Sequence, residues 1–82
     1  MYFVYILYSP TLSKYYVGST MHLEIRIEEH NRGHSNFTRK GIPWQLINSF
    51  ECNDRSSAVQ LESRIKKRGI KRFLQELELK PE

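Results

Sequence analysis

Tyr16-Val17-Gly18-Ser19-Thr20 leads directly into Met21-His22-Leu23-Glu24-Ile25-Arg26-Ile27-Glu28-Glu29-His30. The first part is a short β-type run ending in a glycine. The second has helical spacing, because Leu23 and Ile27 lie four apart, as do Arg26 and His30, so each pair shares a helix face. A tyrosine at a strand end, followed by a cation and an imidazole stacked on the next helix, is a set of groups suited to phosphate chemistry. An ordinary strand-to-helix connection with a solvated arginine and histidine would give the same pattern.

Working outward toward the N-terminus, Tyr2 to Tyr8 is dense in aromatic and β-branched residues, as expected of a strand covered on both faces. It lacks a basic leader and is too short to span a bilayer. Ser9-Pro10-Thr11-Leu12-Ser13 reads as a turn, and Tyr15 to Ser19 as the return strand of a hairpin. A turn centred between Thr11 and Leu12 sets Tyr8 opposite Tyr15, Leu7 opposite Tyr16 and Tyr5 opposite Gly18. Tyr5 and Tyr16 then become diagonal neighbours on one face, and a slip of one residue would separate them.

Toward the C-terminus, Thr20 is the expected N-cap of the first helix, and Gly33 its left-handed stop. A polar loop from His34 to Pro43 carries Phe37-Thr38-Arg39-Lys40. Trp44 to Phe50 returns to strand character, with Trp44, Leu46 and Phe50 at even spacing and Ile47 on the other side. Asp54 can cap a second helix from about Arg55 to Arg68, with Ala58, Leu61 and Ile65 as its apolar stripe and Gly69 at its end. Ile70, Phe73, Leu74 and Leu77 give a third, amphipathic helix, stopped by Pro81. The order is ββαβαα, an α/β (α+β) arrangement. The 82 residues are expected to form one domain, 1–82.

Composition narrows the class. Hydrophobic residues at 39% and charged residues at 27% fit a folded, water-facing chain. The lone Cys52 can form no internal disulfide, which favours a reducing, cytoplasmic setting. A net charge of +4 permits polyanion binding. Arg64, Lys66, Lys67, Arg68, Lys71 and Arg72 crowd into nine positions with no acid among them. Such a cluster can track phosphates, or can simply be a solvated helix end. Glu62 sits at the edge of an apolar stripe, where carboxylates are usually paired, metal-bound or able to reach water.

These residues resemble the GIY-YIG nuclease family, named for two tripeptides on adjacent strands. Here the tripeptides are Val4-Tyr5-Ile6 and Tyr16-Val17-Gly18, followed by Ser19-Thr20, Arg26 and His30-Asn31. Phe37-Thr38-Arg39-Lys40 with Pro43 looks like the loop of the small stand-alone bacterial members, and Ala58 with Leu61-Glu62 matches a later acidic motif. The resemblance implies a three-stranded antiparallel sheet flanked by helices, similar to the N-terminal nuclease domain of the excinuclease-type members. It also implies a DNA phosphodiester cut dependent on Mg²⁺ or Mn²⁺.

By position the resemblance makes Glu62 the metal ligand and Tyr16 the base or nucleophile positioner, with Tyr5 in the same cluster. Arg26 holds the phosphate, and His30 assists proton transfer or orientation. One carboxylate suffices for Mg²⁺ when waters and substrate phosphate complete its shell. Taken singly, each residue has a plainer account: packing for the tyrosines, the helix dipole for His30, and an ion pair with Arg26 or Lys66 for Glu62. Val4 and Val17 replace the Gly and Ile of the family name, and Ser19 stands where excinuclease-type members carry lysine.

The expected function is an endonuclease selecting DNA structure (branched, damaged or nicked) more than sequence, of use in DNA repair. Arg39, Lys40 and the basic cluster would contact phosphates. The rivals are a non-catalytic nucleic-acid-binding module, and a subunit targeted by a protein partner. No membrane association is expected.

Overall fold

In the computed structural model, which describes residues 1–79, β1 (Tyr2–Ser9) is the central strand of a sheet ordered β2-β1-β3. β2 spans Lys14–Thr20 and β3 spans Gln45–Cys52, both antiparallel to β1. The helices are α1 (Leu23–Asn31), α2 (Arg55–Arg68) and α3 (Ile70–Leu79), with a 3₁₀ turn at Arg39–Gly41. This is the expected ββαβαα order. The stop assigned to Pro81 lies outside the described residues.

The central position of β1 explains its composition. Val4, Tyr5, Ile6 and Leu7 are all buried, and they serve opposite faces in alternation. Val4 and Ile6 join Val17, Ala58 and Ile65 in a core closed by Phe50, Leu61, Ile70, Phe73 and Leu74. Tyr5 and Leu7 join Trp44 on the other face, with Tyr16, Leu23, Ile27 and Ile42 packed against them. The sheet therefore separates an aliphatic core under α2 and α3 from an aromatic one under α1.

The hairpin has the expected register: Tyr8 pairs with Tyr15, Leu7 with Tyr16 and Tyr5 with Gly18. Asp54 caps α2, its carboxylate accepting from the Ser57 N–H at 2.8 Å. Gly33 and Gly69 both adopt positive φ after their helices, at 80° and 91°.

Two local expectations are corrected. His22, not Thr20, is the N-cap of α1, and it makes no side-chain cap bond. The Thr20 hydroxyl instead accepts from the His22 N–H at 3.0 Å, turning the chain one step before the helix. The even spacing of Trp44, Leu46 and Phe50 does not place them on one face. Pairing shifts between Ile6↔Asn48 and Leu7↔Leu46, so Ile47 is an extra residue in β3. A bulge of this kind reverses the facing of the residues beyond it. Trp44 thus packs in the aromatic core and Phe50 in the aliphatic one.

Candidate active site

The site begins with the strand pairing. Because Tyr5 faces Gly18, Tyr5 and Tyr16 project from the same side of the hairpin, with ring centroids 6.4 Å apart. α1 covers this side through Leu23 and Ile27, which brings His30 over both rings at 5.9 Å and 5.2 Å. One helical turn earlier, Arg26 stands beside the Tyr5 phenol. Its Nη1 pairs with Glu29 at 3.2 Å, between two part-exposed side chains. Such a pair is weak and leaves the guanidinium available to an anion.

His30 is only 1% exposed and both ring nitrogens are engaged. Nε2 meets the Tyr5 hydroxyl at 2.9 Å, and Nδ1 meets the Thr38 hydroxyl at 2.8 Å. Burial, reinforced by the Arg26 charge, holds the imidazole below its ordinary pKa, with Glu29 opposing. The neutral ring donates through one nitrogen and accepts through the other. One of the two hydroxyls therefore donates to the ring and the other accepts from it.

Thr38 itself is 1% exposed, although its neighbours in sequence are polar or exposed. Trp44 fixes its backbone, Nε1–H donating to the Thr38 carbonyl at 2.6 Å. Trp44 is in turn clamped to α1. Its N–H donates to Asn31 Oδ1 at 2.7 Å, and its carbonyl accepts from Asn31 Nδ2 at 3.1 Å. The loop is therefore part of the scaffold that orients His30. The sequence shows Thr38 only as one hydroxyl in a polar loop, and its role appears once that loop folds back on α1.

Burial pushes the Tyr5 phenol above its ordinary pKa, with Tyr16 and Glu62 adding to the rise and Arg26 pulling against it. Tyr5 is therefore protonated at neutral pH. Glu62 projects from α2, whose Ala58 and Ile65 belong to the opposite core, so it comes from the other side of the sheet. It is near enough for its charge to act on Tyr5, but its carboxylate is bonded to Lys66 Nζ at 2.8 Å. Lys66 and Tyr16 both line a cleft along the outer edge of β2. A lone carboxylate is a hard-oxygen donor that suits Mg²⁺ with waters filling the remaining positions. Among the described residues no group of three or more His, Cys, Asp or Glu side chains could hold a metal ion.

In the basic cluster, Arg68 is tied to Glu76 across α2 and α3 by a two-pronged pair, Nε to Oε1 at 2.7 Å and Nη2 to Oε2. Arg64, Lys67, Lys71 and Arg72 are exposed. Arg39 and Lys40 are exposed in the 3₁₀ turn, with Arg39 Nε donating to the Gly33 carbonyl at 3.1 Å. No helix among the described residues is long and apolar enough to cross a membrane.

Residues 1–73 match the family model of the GIY-YIG catalytic domain. The chain belongs to the GIY-YIG family. A UPF0213 protein of Haloquadratum walsbyi is 45% identical over 53 residues, 62% of this chain and 58% of that protein. The chain thus matches somewhat over half the length of that curated relative. The solution NMR structure of a UPF0213 protein from Bacillus halodurans superposes with a TM-score of 0.59 at 27% identity, covering 98% of this chain and 86% of the other. As a family of endonucleases, GIY-YIG proteins typically use divalent metals and act on nucleic acid.

Proposed function

We propose that this chain is a divalent-metal-dependent endonuclease that hydrolyses DNA phosphodiester bonds, reading backbone structure more than base sequence. The observation that carries this reading is the meeting of Tyr5, Tyr16, Arg26 and His30 on one side of the β1–β2 hairpin. Arg26 offers a planar fork that exchanges Glu29 for a phosphate oxygen. Tyr5, held by the buried imidazole, belongs to the same hydrogen-bonded cluster. Tyr16 reaches the cleft and orients the attacking water. Glu62 holds Mg²⁺ or Mn²⁺ once Lys66 gives way, and the bound ion supplies charge stabilisation at the leaving oxygen.

Arg39, Lys40, Arg64, Lys67, Lys71 and Arg72 contact the backbone phosphates. Arg68 contributes less than its charge suggests, because Glu76 neutralises it. Each phosphate neutralised adds about 0.9 to the log–log salt slope on duplex DNA. Reversing Lys67 and Lys71 to Glu should flatten that slope for every sequence alike, and a sequence-selective loss would count against backbone tracking.

The deciding experiment is cleavage of branched, nicked, single-stranded and plain duplex DNA, and of RNA, in Mg²⁺ or Mn²⁺. Glu62→Gln should lower the rate by orders of magnitude, because metal stabilisation of a transition state is worth several kcal/mol and each ~1.4 kcal/mol is tenfold. Its metal-free DNA affinity should hold or rise. The Glu62–Lys66 ion pair favours a second reading, a binding module whose carboxylate is structural. That reading takes over if the wild type cuts nothing and Glu62→Gln unfolds.

A further inference from the structure

The loop before the 3₁₀ turn buries its threonine and exposes its phenylalanine. Thr38 is 1% exposed and Phe37 is 89% exposed, the reverse of how a threonine and a phenylalanine usually partition. Phe37 is held there by its surroundings. The Thr38 and Arg39 N–H groups donate to the Ser35 carbonyl at 3.3 Å and 3.0 Å, and the Thr38 hydroxyl and carbonyl are tied to His30 and Trp44. The ring therefore projects from a backbone fixed on both sides.

It projects at the cleft along the edge of β2, a space of about 560 Å³ that it shares with Tyr15, Tyr16, Lys66 and Ile70. Three features then coincide. One wall is a free aromatic face, Tyr16 belongs at once to this cleft and to the ring cluster under His30, and the rim is cationic. Lys66 lies in the cleft, while Arg39 and Lys40 follow Phe37 two and three positions on, both exposed.

We propose that Phe37 is a stacking platform for one unpaired nucleobase next to the scissile phosphate, whose attacking water Tyr16 orients. A base within a duplex shows only its edges, and its faces are covered by its neighbours. Only an unpaired or extruded base presents a face to an aromatic ring, and stacking on such a ring tolerates any sequence. The inference rests on the nuclease reading and narrows its substrate to nucleic acid with an unpaired nucleotide beside the cut: a single strand, gap, bulge or flap. Lys66, Arg39 and Lys40 meet the phosphates flanking that base.

The test measures binding of the full chain in metal-free buffer, so that it stands apart from cleavage. The probes are one oligonucleotide carrying 2-aminopurine as a single strand, as a single-nucleotide bulge and within a blunt duplex. Wild type should favour the two unpaired forms over the duplex by about tenfold, the scale of one stacked base, and quench the probe. Phe37→Ala should abolish preference and quenching while leaving duplex affinity and the thermal midpoint unchanged, because the ring is exposed in the free chain. Phe37→Trp should retain both. Phe37→Leu, apolar without a π-face, should behave like alanine.

Equal weakening of all three probes by Phe37→Ala, an unchanged preference, or no binding to any of them overturns the proposal. So does a Phe37→Ala variant whose only change is lost self-association, which would make the ring a protein contact. If stacking depends on Phe37 but no substrate is ever cut, the nuclease reading fails and the base site stands.

Discussion

A Cβ atom on Gly18 would lie 2.6 Å from the hydroxyl oxygen of Tyr5 and 2.8 Å from its Cζ. The glycine of the second tripeptide is thus a space left for the tyrosine of the first, across the hairpin pair Tyr5↔Gly18. It is not needed for its backbone freedom, since it lies within a regular strand. Gly18→Ala should push the phenol away from His30, which is buried and cannot follow. Overpacking of this kind costs about 1–3 kcal/mol, readable in urea unfolding. Cleavage should fall more steeply than stability, and an alanine variant with wild-type stability and an intact Tyr5–His30 contact would refute the fit.

Thr38 should matter to the site although it lies behind it. Thr38→Val keeps the shape and removes the hydroxyl that meets His30 Nδ1 at 2.8 Å, leaving a buried ring nitrogen without its partner. The expected cost is about 1–3 kcal/mol. The ¹⁵N shifts of His30 should also move as the tautomer is released, whereas Thr38→Ser should restore both. A loss of stability with unaltered His30 shifts would reduce Thr38 to a packing residue.

The sequence reveals the hairpin register because two constraints agree on it: the turn between Thr11 and Leu12, and a glycine where Tyr5 needs room. It reveals the ion pair of Glu62 and Lys66 as one of two choices, since i and i+4 meet on any helix. It conceals the Ile47 bulge, because alternation of Trp44, Leu46 and Phe50 looks regular until an inserted residue breaks it. Thr38 is concealed for a different reason. Its partner lies eight residues back, and only the Trp44–Asn31 clamp brings the two together. Local patterns are thus readable, and the contacts made by the returning loop are not.

Acid should weaken the fold through His30. Burial and Arg26 hold its folded-state pKa below the ordinary 6.5, so between the two values the unfolded chain binds more protons. Stability is then complete above pH ~6.5 and falls as pH drops toward the folded value, by at most about 1.4 kcal/mol per pH unit for one proton. The groups facing the ring are Arg26 and Glu29 from its own helix and Tyr5 and Tyr16 from the sheet. Urea midpoints at pH 7.5, 6.5 and 5.5 should decline for wild type and less steeply for His30→Gln. Parallel declines would assign the effect to other groups.

Lys66 decides whether Glu62 is available. The pair is 2.8 Å long, with the lysine side chain 58% exposed and the carboxylate 21% exposed, and the carboxylate is the main reason the Lys66 pKa is raised. A part-exposed helical i,i+4 pair is worth about 0.3–0.5 kcal/mol, so Lys66→Met should hardly change stability in metal-free buffer. Its effect is on competition, because the ammonium and a divalent cation want the same oxygens. The variant should therefore gain more thermal stability from Mg²⁺ than wild type does, in proportion to the logarithm of metal concentration over dissociation constant. Adding Glu62→Gln to Lys66→Met should erase that gain. If Mg²⁺ shifts the midpoint of neither chain, while Lys66→Met alone costs well over 1 kcal/mol, the carboxylate serves the helix and not a metal, and the binding-module reading is the one to pursue.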